Sequence, residues 1–584
     1  MAGCGEPGGA TLRRPHRSVM RFLLVASLLA VAASAQAPND SGLPLEPEQA
    51  AFDATYYDLA LAVDIDTRTI DGTLLMEARI VQPTAAILLD LDAPLEVTAV
   101  EEVAYVVGSG DEVTLPRAFE RTGNRLRIRL GRTAQPGEGL RLRIAYGGAP
   151  RVAPRPPWDG GFTWTETADG TPWVAVSCQV QGADLWWPVK DHPSDEADSV
   201  RVALTVPSEL RAISNGVWEG RTDHGDGTAT ERWFVSTPIN NYGVSFGIGP
   251  YETVEMEYQS PLGYTATVPF FVVPERVDDA RRQMPSLLAD LDFLERTFGP
   301  YAWRGDGYKI LHTPYLGMEH QSLVAYGSTF EDNDYGFDWL HFHELAHEWW
   351  ANLGSAPDWR DFWVHESFAS YSEALRAEDI ALRAGGPEAA EAAYLAFMQG
   401  KRGNHRNAIP VAPRETRTTQ QMYALPDGRS NGDIYVKGAW VLHSLRYLID
   451  DDARFLAAMR SLLYPSAAHE AVTDGRQARW VSTDDVLASF SRAADRDLSG
   501  LFEVYLRQPE TPRLAVDRDG ADLVLRWLVP EAAAGAVFDM PVPVVVGGDE
   551  RRVAMPGGVG RTPVPEGVEW AVDPNGRILV DLAE

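Results

Sequence analysis

The chain has 584 residues, too many for one hydrophobic core, and its length predicts about three or four domains. Apolar residues make up 45% and aromatics 10%, which excludes a disordered chain. Acidic residues outnumber basic ones 83 to 52, for a formal net charge of −31, so a nucleic-acid scaffold or a binder of anionic membranes is not expected.

The amino terminus reads as an address. Arg13, Arg14, Arg17 and Arg21 form a positive region, followed by an apolar run from Phe22 to Ala33 that is too short to span a bilayer. Ala33-Ser34-Ala35 then offers a small-residue cleavage site before Gln36, and Met20 offers a second start. Residues 1–35 are therefore expected to be a signal peptide, with an exported mature chain that has no membrane span. The two cysteines, Cys4 and Cys178, exclude a disulfide framework and a Cys-rich zinc module. Any bound metal must be held by His and carboxylates.

Three regions follow. Residues 36–254 read as an all-β domain: Tyr57–Asp64, Leu126–Leu130 and Leu140–Tyr146 alternate apolar and polar residues, with Gly- and Asn-containing turns between strands. The Pro-rich Ala149–Trp158 stretch reads as a loop inside it. Residues 255–508 read as mainly helical, most clearly over Asp278–Phe298, Tyr335–Leu353, Glu366–Ala384 and Tyr435–Leu448. Residues 509–584 return to β, with strand-like runs at Asp522–Leu528, Met540–Val546 and Ile578–Leu582. The predicted class is multidomain α+β.

The chemistry concentrates in the helical region. His343-Glu-Leu-Ala-His347 is an HExxH sequence. Residues four apart on a helix lie about 40° from one another, so both imidazoles can share one ion while Glu344 stands beside them as a base. A three-ligand site needs one more donor. Eighteen residues after His347, room for a helix end, a loop and a return, comes Glu366 at the start of a second helix, with Glu373 two turns later on the same face. Two His and one Glu leave a fourth position open, the pattern of a catalytic zinc with one ion per chain.

HELAHEWW, with this spacing to the Glu of HESFASYSE, resembles the aminopeptidase-N and leukotriene hydrolase family of zinc peptidases, the gluzincins. Gly317-Met318-Glu319-His320 is similar to the family's G-x-M-E-N motif, and Tyr435-Val-Lys-Gly-Ala439 to its Y-x-K-G-A segment. Gln179, ahead of Trp186-Trp187-Pro188 and Asp191, resembles a residue of the amino-terminal domain that lines the first substrate subsite. The resemblance implies a saddle-like β domain, a thermolysin-like catalytic domain and a small carboxy-terminal β-sandwich-like domain. It also implies an aminopeptidase acting on peptides with a free amino terminus. In that reading His343, His347 and Glu366 hold zinc, Glu344 is the general base and Tyr435 donates to the oxyanion. Glu319 binds the substrate ammonium, with Gln179, Gly317 and Met318 beside it.

The sequence departs from the family pattern in places. His320 replaces Asn, His365 precedes the third ligand where Asn is common, and Gln179 stands where many members have Glu. These bear on subsite preference and exopeptidase strictness, and leave the zinc ligands and the base intact. His341 lies about 200° from His343 around the helix and is expected on its surface or behind the ligands. His365 is expected not to ligate, and His320 is a candidate for substrate contact. Cys178, Trp186, Trp187, Trp349 and Trp350 are expected in the core. A zinc epoxide hydrolase and a zinc endopeptidase are the rival activities, separated by epoxide turnover and by cleavage of N-acetylated peptides.

Overall fold

The computed structural model describes residues 41–105, 111–425 and 427–583, so the stretch expected to be a signal peptide and its expected cleavage site lie outside the described residues. The first region is built on an eight-stranded sheet. Its centre is Phe52–Asp64, which pairs antiparallel with Thr69–Ile80 and parallel with Ser199–Pro207. The alternation seen in the sequence sets which face is covered: Tyr57, Leu59, Leu61 and Val63 are buried, as are Leu140, Leu142 and Ile144. The intervening arginines point outward and pair with glutamates, Arg141 with Glu77 at 2.7 Å and Arg127 with Glu48 at 2.8 Å. A four-stranded and a three-stranded sheet complete the layer, and Trp186 and Trp187 fill the space between, the latter edge-on to Tyr57.

The boundary expected between residues 254 and 255 falls inside the strand Glu252–Gln259. That strand and Thr265–Val272 join a five-stranded sheet with Ile310–His312, Val324–Tyr326 and Gly317–Met318. Strand content is a local property, whereas the partner of a strand is not, so the expected boundary leaves Glu252, Thr253 and Val254 apart from the rest of their strand. Behind the sheet runs the helix Val277–Phe298.

The helix expected over Tyr335–Leu353 is shorter, Trp339–Ala346. Gly336 takes a left-handed φ of 88°, and the Asp338 carboxylate then caps the helix by accepting the His341 N–H at 3.1 Å. At the other end Trp350 and Ala351 leave helical geometry within the irregular turn Glu348–Leu353. The return helix, Trp363–Gly385, packs on Pro387–Arg402 and Val436–Ile449. In the last region two small sheets form, centred on Asp522–Leu528 and Val542–Val546. Of the expected last strand only Asp581–Leu582 pairs, while Ile578, Leu579 and Val580 are buried without ladder partners. No helix among the described residues is long and apolar enough to cross a membrane.

Two large apolar cores result. One joins the catalytic helices to the carboxy-terminal sheets. The other belongs to the amino-terminal sheets but also takes in Tyr315, Met318, Trp359, Phe362, Met422 and Ile434 from the helical region. The strand Gly317–Met318 thus sits where the two halves meet, and it lies against the helix Trp339–Ala346.

Candidate functional site

Two helices bring three donors to one point. His343 and His347 lie one turn apart at the end of Trp339–Ala346, with their Nε2 atoms 3.2 Å from each other. Glu366, in the first turn of Trp363–Gly385, places Oε2 3.4 Å from each of those nitrogens. Donors about 2.0–2.2 Å from a tetrahedral ion stand about 3.3–3.5 Å apart, so the three atoms have the edges of such a site. Glu366 Oε2 is buried without a hydrogen-bond partner, as an atom reserved for a metal should be. Among the described residues these three alone form such a donor group.

The far side of each imidazole is also occupied. His343 Nδ1 meets Glu373 Oε1 at 2.9 Å, and Glu373 Oε2 meets Lys401 Nζ at 3.0 Å. His347 Nδ1 meets the Trp350 carbonyl at 3.0 Å. Both partners are acceptors, so both Nδ1 atoms carry the proton and both Nε2 lone pairs face the donor group. The break at Trp350 therefore has a use, because a continued helix would commit that carbonyl to its own ladder.

Around this centre lies a cavity of about 320 Å³. Glu344 lines it, and burial pushes its carboxyl up to about 8, with Glu319 and Glu366 adding to the shift and the two imidazoles opposing it. Gly317 approaches so closely that a Cβ there would stand 2.6 Å from Glu344 Oε1. Burial also works to raise the Glu366 carboxyl, but the neighbouring His343 and His347 imidazoles hold it below the ordinary range. Tyr435 caps the centre: its hydroxyl donates to Glu366 Oε1 at 2.9 Å and pairs with Tyr423 at 2.7 Å, and its ring stacks on His343. Burial, then the Glu366 charge, raises the phenol well above its usual value, so it remains a donor.

Glu319 is buried in the wall, and burial raises its carboxyl. Tyr242 donates to Glu319 Oε1 at 3.3 Å. The loop behind it is pinned by Glu348, which accepts from Ser322 N at 2.7 Å, and by Asn352, which donates to the Glu319 carbonyl at 3.1 Å. Gln179 arrives from the amino-terminal region and touches Tyr423. Met318 lines the same wall, so the structure brings together every residue that the sequence singled out as catalytic, substrate-binding or metal-binding.

Three neighbouring histidines do not reach the cavity. His341 is not on the surface: it is fully buried, bonded to Tyr308 at 2.6 Å and Asp290 at 3.2 Å. His365 accepts the Ala356 N–H at 2.9 Å, and burial lowers its imidazole to about 3. His320, a candidate for substrate contact, is fully buried outside the cavity wall, and burial holds it neutral at about 3. Cys178, Trp186, Trp187, Trp349 and Trp350 are buried as expected.

The sequence reading missed Tyr242, Tyr423, Trp158, Trp339 and Lys401. Tyr423 and Lys401 come from segments without a motif, and Tyr242 from the other half of the molecule. Trp339 alone left a signal, lying one turn before His343 on the same helix face. A larger groove of about 780 Å³, lined by Glu378, Tyr394, His443 and Arg446, holds none of the catalytic or metal-site groups.

Comparison with known proteins places this geometry. Residues 314–505 match the model of the peptidase family M1 domain, and residues 53–242 match that of the peptidase M1 amino-terminal domain. Human aminopeptidase B is 25% identical over 326 residues, covering 53% of this chain and 46% of that protein. Human glutamyl aminopeptidase is 25% identical over 343 residues, 55% of this chain and 34% of its own length. The chain therefore spans about half or less of these curated relatives. Among solved structures, an M1 zinc metallopeptidase from Deinococcus radiodurans, bound as a mutant to a Tyr-Ser-Ala substrate, is 25% identical. It superposes with a TM-score of 0.62, covering 82% of this chain and 99% of that one.

Proposed function

The chain belongs to peptidase family M1, a family of zinc metallopeptidases, and from that premise we propose that it is an exported aminopeptidase that removes residues from free amino termini of peptides. The observation that carries the reading is the buried Glu319 carboxylate in the wall of the same 320 Å³ cavity as the metal donors. An ionised carboxylate only accepts hydrogen bonds, and a substrate α-ammonium only donates them.

His343, His347 and Glu366 would hold the zinc, which when bound would polarise the peptide carbonyl and acidify the attacking water. Glu344 takes a proton from that water and returns it to the leaving amine, from a position in the cavity beside the first imidazole. Tyr435 turns its hydroxyl toward the carbonyl oxygen as negative charge develops there. Glu319 holds the ammonium, so the bond presented to Glu344 is the first of the chain. Gln179 assists without charge.

A matched pair of peptides, one free and one N-acetylated, tests the reading with and without a chelator. The free peptide is expected to be cleaved at least about a hundredfold faster, because the acetylated one leaves Glu319 buried without a partner. Equal rates would exclude the aminopeptidase and leave an endopeptidase. Export rests on the basic and apolar stretches before Ala35, and amino-terminal sequencing of secreted protein is expected to begin near Gln36.

A further inference from the structure

The wall of the metal cavity carries four carboxylates, Glu319, Glu344, Glu366 and Glu373, and a single fixed cation, Lys401. The chain has only four lysines. The ammonium groups of Lys190, Lys309 and Lys437 are spent on backbone carbonyls in the interior: Phe52, Asp306 and Pro509 respectively. Lys401 differs. Its side chain is 18% exposed, it lines the cavity, and its hydrogen bond to Glu373 uses one of three N–H donors.

Its position relative to Glu319 matters. Glu319 is held by the turn that follows His347, since Asn352 donates its side chain to the Glu319 carbonyl and its backbone N–H to the His347 carbonyl, whereas Lys401 is reached through Glu373 behind His343. The two poles therefore lie toward different imidazoles of the donor group. A substrate with its ammonium on Glu319 and its first carbonyl at the metal runs on past His343. Trp339, 43% exposed and lying over that imidazole with ring centres 6.3 Å apart, gives it an apolar wall. One ring, one carboxylate and two hydrogen bonds separate the metal position from the Lys401 ammonium, on the order of 8–10 Å. An extended chain advances about 3.3–3.6 Å per residue, so the carboxylate of the second or third residue reaches that far. The cavity volume is also at the small end for ligand sites.

We propose that Lys401 receives the carboxy-terminal carboxylate of short peptides, so that the protein selects chains of about two or three residues with both ends free. This rests on the aminopeptidase reading and narrows its substrate class. The amine goes to Glu319 and the carboxylate to Lys401, and the span between them limits length.

The zinc-loaded enzyme is assayed on a tripeptide as free acid and as carboxy-terminal amide, and on the free acids of two to six residues. The free acid is expected to exceed the amide about tenfold or more in kcat/KM, with the rate falling beyond three residues. Lys401→Met is expected to bring the acid-to-amide ratio close to one, and Lys401→Arg to restore most of it. Were Lys401 only a support for Glu373, Lys401→Met would slow both substrates alike and leave the ratio intact, which overturns the proposal. Equal cleavage of acid and amide by the unmodified enzyme overturns it as well while sparing the aminopeptidase reading. Failure to cleave either, with zinc bound, removes the reading on which both rest.

Discussion

Two clusters of buried acids in this molecule behave differently. Around the metal donors, Glu366 is held ionised below its ordinary range, against burial, because His343 and His347 surround it. In the amino-terminal region Asp90, Asp184 and Asp191 are also withdrawn from water. Asp90 accepts from Gln49 and pairs with Arg125, yet burial still pushes it up to about 6. Burial and the neighbouring Asp90 charge lift Asp191 to about 7, and Asp184 stands well above the carboxylate range. Burial alone makes a carboxyl group neutral. It becomes a ligand or a charge only where donors have been folded into place around it.

Three substitutions sharpen that contrast. The largest effect is expected at Glu344, the one buried acid that must change protonation during turnover. Glu344→Gln keeps the shape and deletes the proton carrier, so kcat is expected to fall about 10³-fold or more while zinc content, measured by atomic absorption, stays at one per chain. Near-full activity in this variant would refute the assignment. Next is Glu373, whose charge sits between His343 and Lys401. Glu373→Gln still offers an oxygen to His343 Nδ1 but loses the charge, and zinc affinity is expected to weaken about 10–100-fold in a competition titration. Unchanged affinity would mean that the Glu373 charge does nothing for the ligand.

The smallest effect lies in the other cluster. Asp191 titrates near 7 in the folded chain against an ordinary value of 3.8. The folded state therefore binds a proton that the unfolded state has released, and stability is lost as pH rises from about 4 through about 7. Asn at this position cannot ionise. The Asp191→Asn variant is expected to gain on the parent by a few °C in melting temperature between pH 5 and pH 8, with peptidase activity little changed. A melting difference that does not vary with pH would show that Asp191 is not the group responsible.

Much of the metal centre was legible because its signals are local. Two His four apart share a helix face by geometry, and Glu366 lies one loop away. The parts that stayed hidden depend on contacts between distant segments. Nothing in the residues 348–353 announces that the Trp350 carbonyl will leave the helix and serve His347. Lys401 joins through a later helix, and Tyr423 through a short segment with no motif. His320, a candidate for substrate contact, stays out of the cavity wall although its neighbour Glu319 lines it. In the β regions, alternation located the strands well, but the expected boundary after Val254 cuts through the strand Glu252–Gln259.

The strand Gly317–Met318 has a consequence in time. Met318 and Tyr315 are packed in the core of the amino-terminal sheets, while Gly317 lies against Glu344. The floor under the reacting bond is therefore set only once residues of both halves, Trp359, Phe362, Met422 and Ile434 among them, have packed into that core. A fragment carrying His343, Glu344, His347 and Glu366 without the first half would own every reactive atom and still lack the surface against which a peptide is cut.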